Sequence, residues 1–159
     1  MPLQDAASVA ASLPLARALR EHAWLYPAIE TLHILGFAVL VGAVAMFDLR
    51  VLGFGRQLPV RALARHLLPW SAGSMLLVLP TGLLLFVADP LALLVNRIFL
   101  LKLGLILAAG LNALAFHAGP YRQADAWPAR APPRAVLHAL LSLGLWIAVI
   151  ACGRLLAYF

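Results

Sequence analysis

Acidic residues are scarce in this chain, and thiols scarcer. Aspartate and glutamate together number 6 among 159 residues, and charged residues of both signs make up 11%. Average soluble domains carry about 25% charged residues against about 45–50% apolar ones. Here 64% of the chain is hydrophobic, which excludes a large-cored soluble domain. One cysteine, Cys152, allows no internal disulfide and leaves the redox compartment unread. Glycine-rich phosphate loops, hydrolase nucleophile patterns and zinc-ligand spacings are all missing. Soft Cu(I) sites favour methionine and cysteine, but Met46, Met75 and Cys152 are scattered over three apolar segments at unlike depths. The N-terminal segment lacks a basic start followed by a continuous apolar run, so no cleavable leader is expected. The net charge of +6 raises nucleic acid as a partner. Placement argues against it, because the arginines gather in two short segments and no basic stripe is interleaved with aromatics.

What the chain has is long apolar runs. Four of them, at about 25–47, 66–88, 94–117 and 135–158, fill one domain over residues 1–159. Each is about 20 residues or more, enough to cross about 30 Å of hydrocarbon at about 1.5 Å per residue. Lipid offers backbone groups no partner, so helix is the default. The expected fold is all-α, an integral membrane four-helix bundle in contact with the lipid bilayer. Asp48-Leu49-Arg50 is read as the close of the first span and Gly119-Pro120 as the end of the third. Pro69 and Pro80 are expected to bend or interrupt the second. In the segment 1–23, Leu13, Leu15 and Leu19 alternate with Arg17, Arg20 and Glu21, and Ser12 followed by Pro14 reads as a helix start. A short amphipathic helix on the membrane surface is expected there. Small residues at Ala38 and Gly42, Gly104 and Ala108, and Gly144 and Ala148 allow close helix contact.

Arginine placement sets the expected orientation. The segment between spans one and two carries Arg50, Arg56, Arg61 and Arg65, and that between spans three and four carries Arg122, Arg130 and Arg134. Both are expected to be cytoplasmic, with both termini outside. An internal duplication also shows. His33 precedes Asp48 by the interval that separates Lys102 from His117, and Thr81-Gly82-Leu83 resembles Cys152-Gly153-Arg154. Two helical hairpins related as a parallel repeat are expected.

Ionisable residues inside the spans are the functional lead, because a bare charge there costs roughly 2.5 to 3.5 kcal/mol on insertion scales. Glu30, His33, Lys102 and Arg154 fall in one layer of the outer half. Glu30 and His33, spaced i, i+3, share a helix face. Glu30 pairing with Lys102 or Arg154 would leave the His33 imidazole facing the bundle. The alternative is a structural polar cluster in which the long cations reach the headgroups. A second set, His66, His117 and His138, gathers on the inner side near Asp48 and Asn112. Two facing imidazoles there are candidates to clamp a heme iron or a metal, and His138 is the member expected to face inward.

Trp24-Leu25-Tyr26-Pro27, Glu30-Thr31-Leu32-His33, Gly42, Asp48-Leu49-Arg50, Thr81-Gly82-Leu83-Leu84-Leu85-Phe86, Lys102, Asn112 and Cys152-Gly153-Arg154-Leu155 together resemble a bacterial inner-membrane four-helix family of unknown function. The resemblance covers nearly the whole chain. More distantly, the pattern is similar to the copper-resistance protein D family and to HemJ-type protoporphyrinogen oxidases. In the HemJ type a first-helix histidine is implicated as a heme b ligand, and a later-helix lysine matters for activity. His33 and Lys102 stand at those positions, while Glu30 and Asp48-Leu49-Arg50 depart from that pattern. The resemblance implies heme b, with His33 as axial ligand and metal donor. Lys102 and Arg154 would neutralise propionates or pair with Glu30. His138, with His66 or His117, would form a second site. A quinone or a periplasmic protein is the redox partner it implies.

Overall fold

From Pro14 onward six α-helices and one 3-10 segment satisfy the backbone, residues 7–9 and 11–12 are helical as well, and no strand occurs among the described residues. The structure, a computed structural model, describes residues 7–9, 11–127 and 130–158. In chain order the helices are α1 (Pro14–Glu21), α2 (Leu25–Leu52), α3 (Val60–Ala88), α4 (Pro90–Val95), α5 (Arg97–Ala118) and α6 (Pro133–Leu155); the 3-10 segment is Pro120–Ala126. The helices α2, α3, α5 and α6 are each long and apolar enough to cross a bilayer. They form an all-α four-helix bundle. The chain is a multi-pass membrane protein by length and composition.

Helix ends follow local chemistry rather than the edges of the apolar runs. Asp48-Leu49-Arg50, read in the sequence as the end of the first span, lies inside α2. The stop is Gly53, at φ +107°, a left-handed position that L side chains rarely adopt. Phe54 N–H then closes onto the Leu49 carbonyl at 3.0 Å. At the start of α5 the Asn96 side chain accepts from Ile98 N–H and Phe99 N–H at 2.9 and 3.2 Å, as an N-cap does. Asp89 caps α4 by accepting from Ala92 N–H.

Pro69 and Pro80 do not interrupt α3, which runs unbroken from Val60 to Ala88. A proline removes one helical donor and crowds the carbonyls before it. After Pro80, the Thr81 hydroxyl turns back and donates to the Leu77 carbonyl at 2.5 Å, with Val78 O at 3.2 Å. Hydroxyl side chains commonly bond back to a carbonyl of the preceding turn in this way.

The core is stacked in three layers along the bundle. At the end carrying the arginine-rich loops, the arginine end, Phe47, Val51, Ala64, Phe116 and Ala135 pack together. Leu40, Ala109, Trp146 and Val149 form the middle. At the far end Leu19 of α1 meets Ile29 and Ala88. Thus the buried face of α1, Ala16 and Leu19, is used against the bundle. Arg20 fixes it there, donating to the Ala88 carbonyl at 2.8 Å. The two arginine-rich loops meet through Arg61, which pairs with Asp125 at 2.6 Å and donates to Arg122 O at 2.9 Å.

The two hairpins, α2–α3 and α5–α6, place matching residues alike. At one constant offset between α2 and α5, Leu40 matches Ala109, Ala43 matches Asn112 and Phe47 matches Phe116; all six are buried. The phenyl rings of the last pair meet edge-on at 5.7 Å. Between α3 and α6, Ala64 matches Ala135 and Thr81 matches Cys152, again all buried. The pairing is uneven, however. α2 packs closely on α6, whereas the backbones of α3 and α5 stand farther apart and meet only through side chains, among them Phe86 and Phe99, stacked near the far end at 5.9 Å.

Close approach in the first hairpin comes from Gly36, not from the small-residue spacings noted in the sequence. A Cβ at Gly36 would sit 3.0 Å from Val78 Cγ2, whereas Gly42, Gly104 and Gly144 meet nothing within 4 Å. Gly36→Leu is therefore expected to lower stability by about 1–3 kcal/mol, and Gly42→Leu to leave it unchanged. Thermal unfolding of the two variants in one detergent checks this; equal midpoints would contradict the packing.

Candidate functional site

The bundle holds polar side chains at two levels. Toward the far end, α2 presents His33 to α3. His33 Nδ1 lies 3.0 Å from Thr81 Oγ1. Thr81 has a single hydroxyl proton, and that proton is directed to the Leu77 carbonyl. The hydroxyl can then only accept from His33, so Nδ1 carries the ring proton and Nε2 keeps its lone pair. Gly82 makes the room, since a Cβ there would come 3.1 Å from His33 Cε1. Phe37 lies beside the imidazole, ring centroids 6.4 Å apart, and leads edge-on to Trp146 of α6.

Lys102 holds the matching place in the second hairpin. It is half-buried, and a Cβ at Gly153 would stand 3.6 Å from its Nζ. Gly82 lies under His33 and Gly153 under Lys102, in the runs whose likeness the sequence showed, but only at Gly82 is the approach too tight for an ordinary side chain. Lys102 lies within electrostatic reach of His33 and forms no ion pair among the described residues.

Glu30 and Arg154 do not join them. Glu30 is exposed on α2 and makes no ion pair with Lys102 or Arg154 among the described residues. Arg154 is exposed too, donating to the Tyr158 hydroxyl with its guanidinium 4.8 Å from the centre of the Tyr158 ring. Of the four residues expected in one layer, the structure brings His33 and Lys102 inward and leaves the other two at the surface.

Toward the arginine end the four spanning helices enclose a cavity of about 130 Å³. Asp48, Asn112, His138 and Ser142 line it among apolar walls that include Phe47 and Phe116. Asn112 Nδ2 donates to the His138 carbonyl at 3.0 Å, which turns Oδ1 toward His138 Nδ1 at 2.7 Å. That oxygen accepts, so His138 Nδ1 bears its proton and Nε2 is again free. His117 also lines the cavity, with Nδ1 held by the Ala113 carbonyl at 2.8 Å. His66 is exposed and is not part of the wall. Asp48 is 6% exposed, and its Oδ2 has no hydrogen-bond partner among the described residues. Ser142 stands beside the same carboxylate.

Sequence reading placed Thr81, Gly82 and Gly153 in matched runs, and Asn112 near the inner histidines, without giving them roles. The signal lay in the duplication: the glycines recur at matched positions, each under an intramembrane ionisable residue of the neighbouring helix. No group of three or more His, Cys, Asp or Glu among the described residues is arranged to hold a metal ion by protein ligands alone. Site and fold together define a multi-pass helical membrane protein with polar groups buried at two levels. Comparison with protein-family models, curated proteins and solved structures gives no match for this chain.

The tautomer assigned to His33 is directly measurable. Imidazole ¹⁵N shifts of the wild type are expected to show a protonated Nδ1 and an unprotonated Nε2 at neutral pH. Thr81→Val removes the acceptor and is expected to collapse that preference; an unchanged spectrum would show that Thr81 does not orient the ring.

Proposed function

We propose that the chain is a heme b-binding redox protein of the bacterial inner membrane, with His33 as axial ligand through Nε2. The observation that carries this reading is the His33 to Thr81 hydrogen bond. Metal-bound histidines almost always donate the other ring N–H to an oxygen acceptor, which fixes the tautomer and raises ligand basicity. Thr81 does this for His33, and Gly82 leaves the ring unclashed. Lys102, half-buried with no carboxylate partner among the described residues, suits an anionic group such as a propionate. Arg154 and Glu30 belong to the rim of this arrangement rather than its centre.

The fit is one of donor chemistry. The cavity at the arginine end, about 130 Å³, is smaller than the roughly 300–1,000 Å³ of ligand-sized sites, so His138 and His117 are not read as a second porphyrin clamp. Heme, when bound, would supply one-electron chemistry; the chain's part is to hold the axial nitrogen, set the dielectric and exclude water. A quinone or a periplasmic protein is the partner this reading calls for. The cytoplasmic side is assigned to the arginine end by the excess of arginine in its loops, which puts both termini in the periplasm.

A rival reading is a non-enzymatic accessory subunit or a small transport or copper-handling component. There the His33 to Thr81 bond would be a tie between helices. The outward position of Glu30 and Arg154 favours it. The visible spectrum of protein purified from heme-replete cells separates the two. A Soret band that shifts on reduction is expected, with most of it lost in His33→Ala. Thr81→Val is expected to weaken heme affinity about 10–100-fold. A colourless wild type rejects the heme reading. Orientation has its own test: reporter fusions are expected to place the C-terminus outside and the segment after Arg61 inside, and a cytoplasmic C-terminus would reverse the assignment.

A further inference from the structure

The cavity at the arginine end has three properties that together specify a ligand. The first is size. A cavity of about 150 Å³ in a protein interior takes up benzene, and this one, at about 130 Å³, has room for one six-membered ring but not two. The second is hydrogen-bonding sense. His138 Nδ1–H is committed to Asn112 Oδ1 and His117 Nδ1 to a backbone carbonyl, so the free nitrogen of each is an acceptor. Asp48 adds a buried carboxylate oxygen without a partner. Ser71 and Ser142 also line the wall and their hydroxyls can donate, Ser142 to the Asp48 carboxylate. Asp48 Oδ2 and the two imidazole nitrogens remain as acceptors, and because a buried polar atom left unpaired is costly, they call for a ligand that brings donors. The third is access. The cavity wall runs across the pair of neighbouring spans whose backbones stand farther apart, with Leu67 and Leu68 on the α3 side and Ala113 on the α5 side. Leu68 and Ala113 are exposed, so the mouth faces the bilayer rather than an aqueous end.

From these we infer that the cavity binds the ring of a membrane-borne hydroquinone, with its hydroxyl groups donating to Asp48 and His138. Phe47 and Phe116 supply the apolar walls against the ring, and an alkyl tail leaves between α3 and α5 into lipid. Metal ions fit the site poorly, because no three protein ligands converge there among the described residues. The inference is about binding alone; it rests on the proposed function in taking up the quinone partner named there, but it concerns different residues at the other level of the bundle, so loss of the Soret band and loss of hydroquinone binding are read out separately.

The test uses the full-length protein in lipid nanodiscs, kept anaerobic. The probes are a decyl-tailed 1,4-hydroquinone and its dimethyl ether, which keeps the ring and tail but has no donors. Binding is followed by quenching of tryptophan fluorescence. The hydroquinone is expected to bind saturably and the ether about tenfold or more weakly. Asp48→Ala enlarges the cavity yet is expected to weaken the hydroquinone about tenfold and leave the ether unchanged. Ala113→Trp, a substitution at the exposed mouth, is expected to abolish binding of both while thermal midpoint and monodispersity stay those of the wild type. Equal affinity for hydroquinone and ether overturns the inference, as does absence of saturable binding or a hydroquinone affinity unmoved by Asp48→Ala. If Asp48→Ala does not fold, the ether comparison and Ala113→Trp decide the matter.

Discussion

Hydrocarbon forms no hydrogen bonds, and that single constraint organises this molecule. Every polar group placed inside the spans has only the chain to answer it. Thr81 takes part in two such bonds, donating to the Leu77 carbonyl and accepting from His33. Asn112 holds both the backbone and the side chain of His138. At the helix ends Asn96, Asp89 and Arg20 perform the same service for orphaned backbone groups. Burial of apolar surface contributes little between helices already solvated by lipid, so packing and these bonds carry the association. Two buried atoms among the described residues go unanswered, Asp48 Oδ2 within the bundle and Trp127 Nε1 beside the arginine-end loops, while Arg61 Nε is met only by its ion pair with Asp125.

The bundle is built by repetition with substitution. Matching buried positions recur in the two hairpins, and a glycine lies beneath each of the two inward-facing ionisable side chains. The chemistry has diverged on this common frame: imidazole over Gly82 in one half, ammonium over Gly153 in the other. The acceptor Thr81 is matched by Cys152, whose thiol is a weak hydrogen-bonding group. A histidine oriented by a hydroxyl has thus been set against a lysine without such an anchor, which makes one site directional and the other a mobile point charge.

Fold class was legible because hydrophobic length needs no tertiary information. The four spans, the break at Asp89-Pro90 and the end at Gly119 all follow from composition and local chemistry. Helix limits were less so: apolarity fell at Asp48, but the backbone stops only where Gly53 adopts a positive φ. Pro69 and Pro80 were misleading by themselves, because α3 continues through both. The level of His33 and Lys102 could be read from spacing, but their direction could not. Nor could the outward turn of Glu30 and Arg154, since rotation of a helix about its axis is set by neighbours. The smallness of Gly36, Gly82 and Gly153 was visible, yet only packed coordinates distinguish them from Gly42, Gly104 and Gly144, which touch nothing.

The unequal seams give the bundle a mechanical character. One side is a spine, α2 against α6, closed by Phe37, Trp146 and Val149; the other is fastened near one end by the stacked rings of Phe86 and Phe99. Acyl chains can therefore approach the interior along the α3–α5 side, where side chains alone close the wall, and not along the α2–α6 seam, so the surrounding lipid serves as a packing partner for one flank of the bundle.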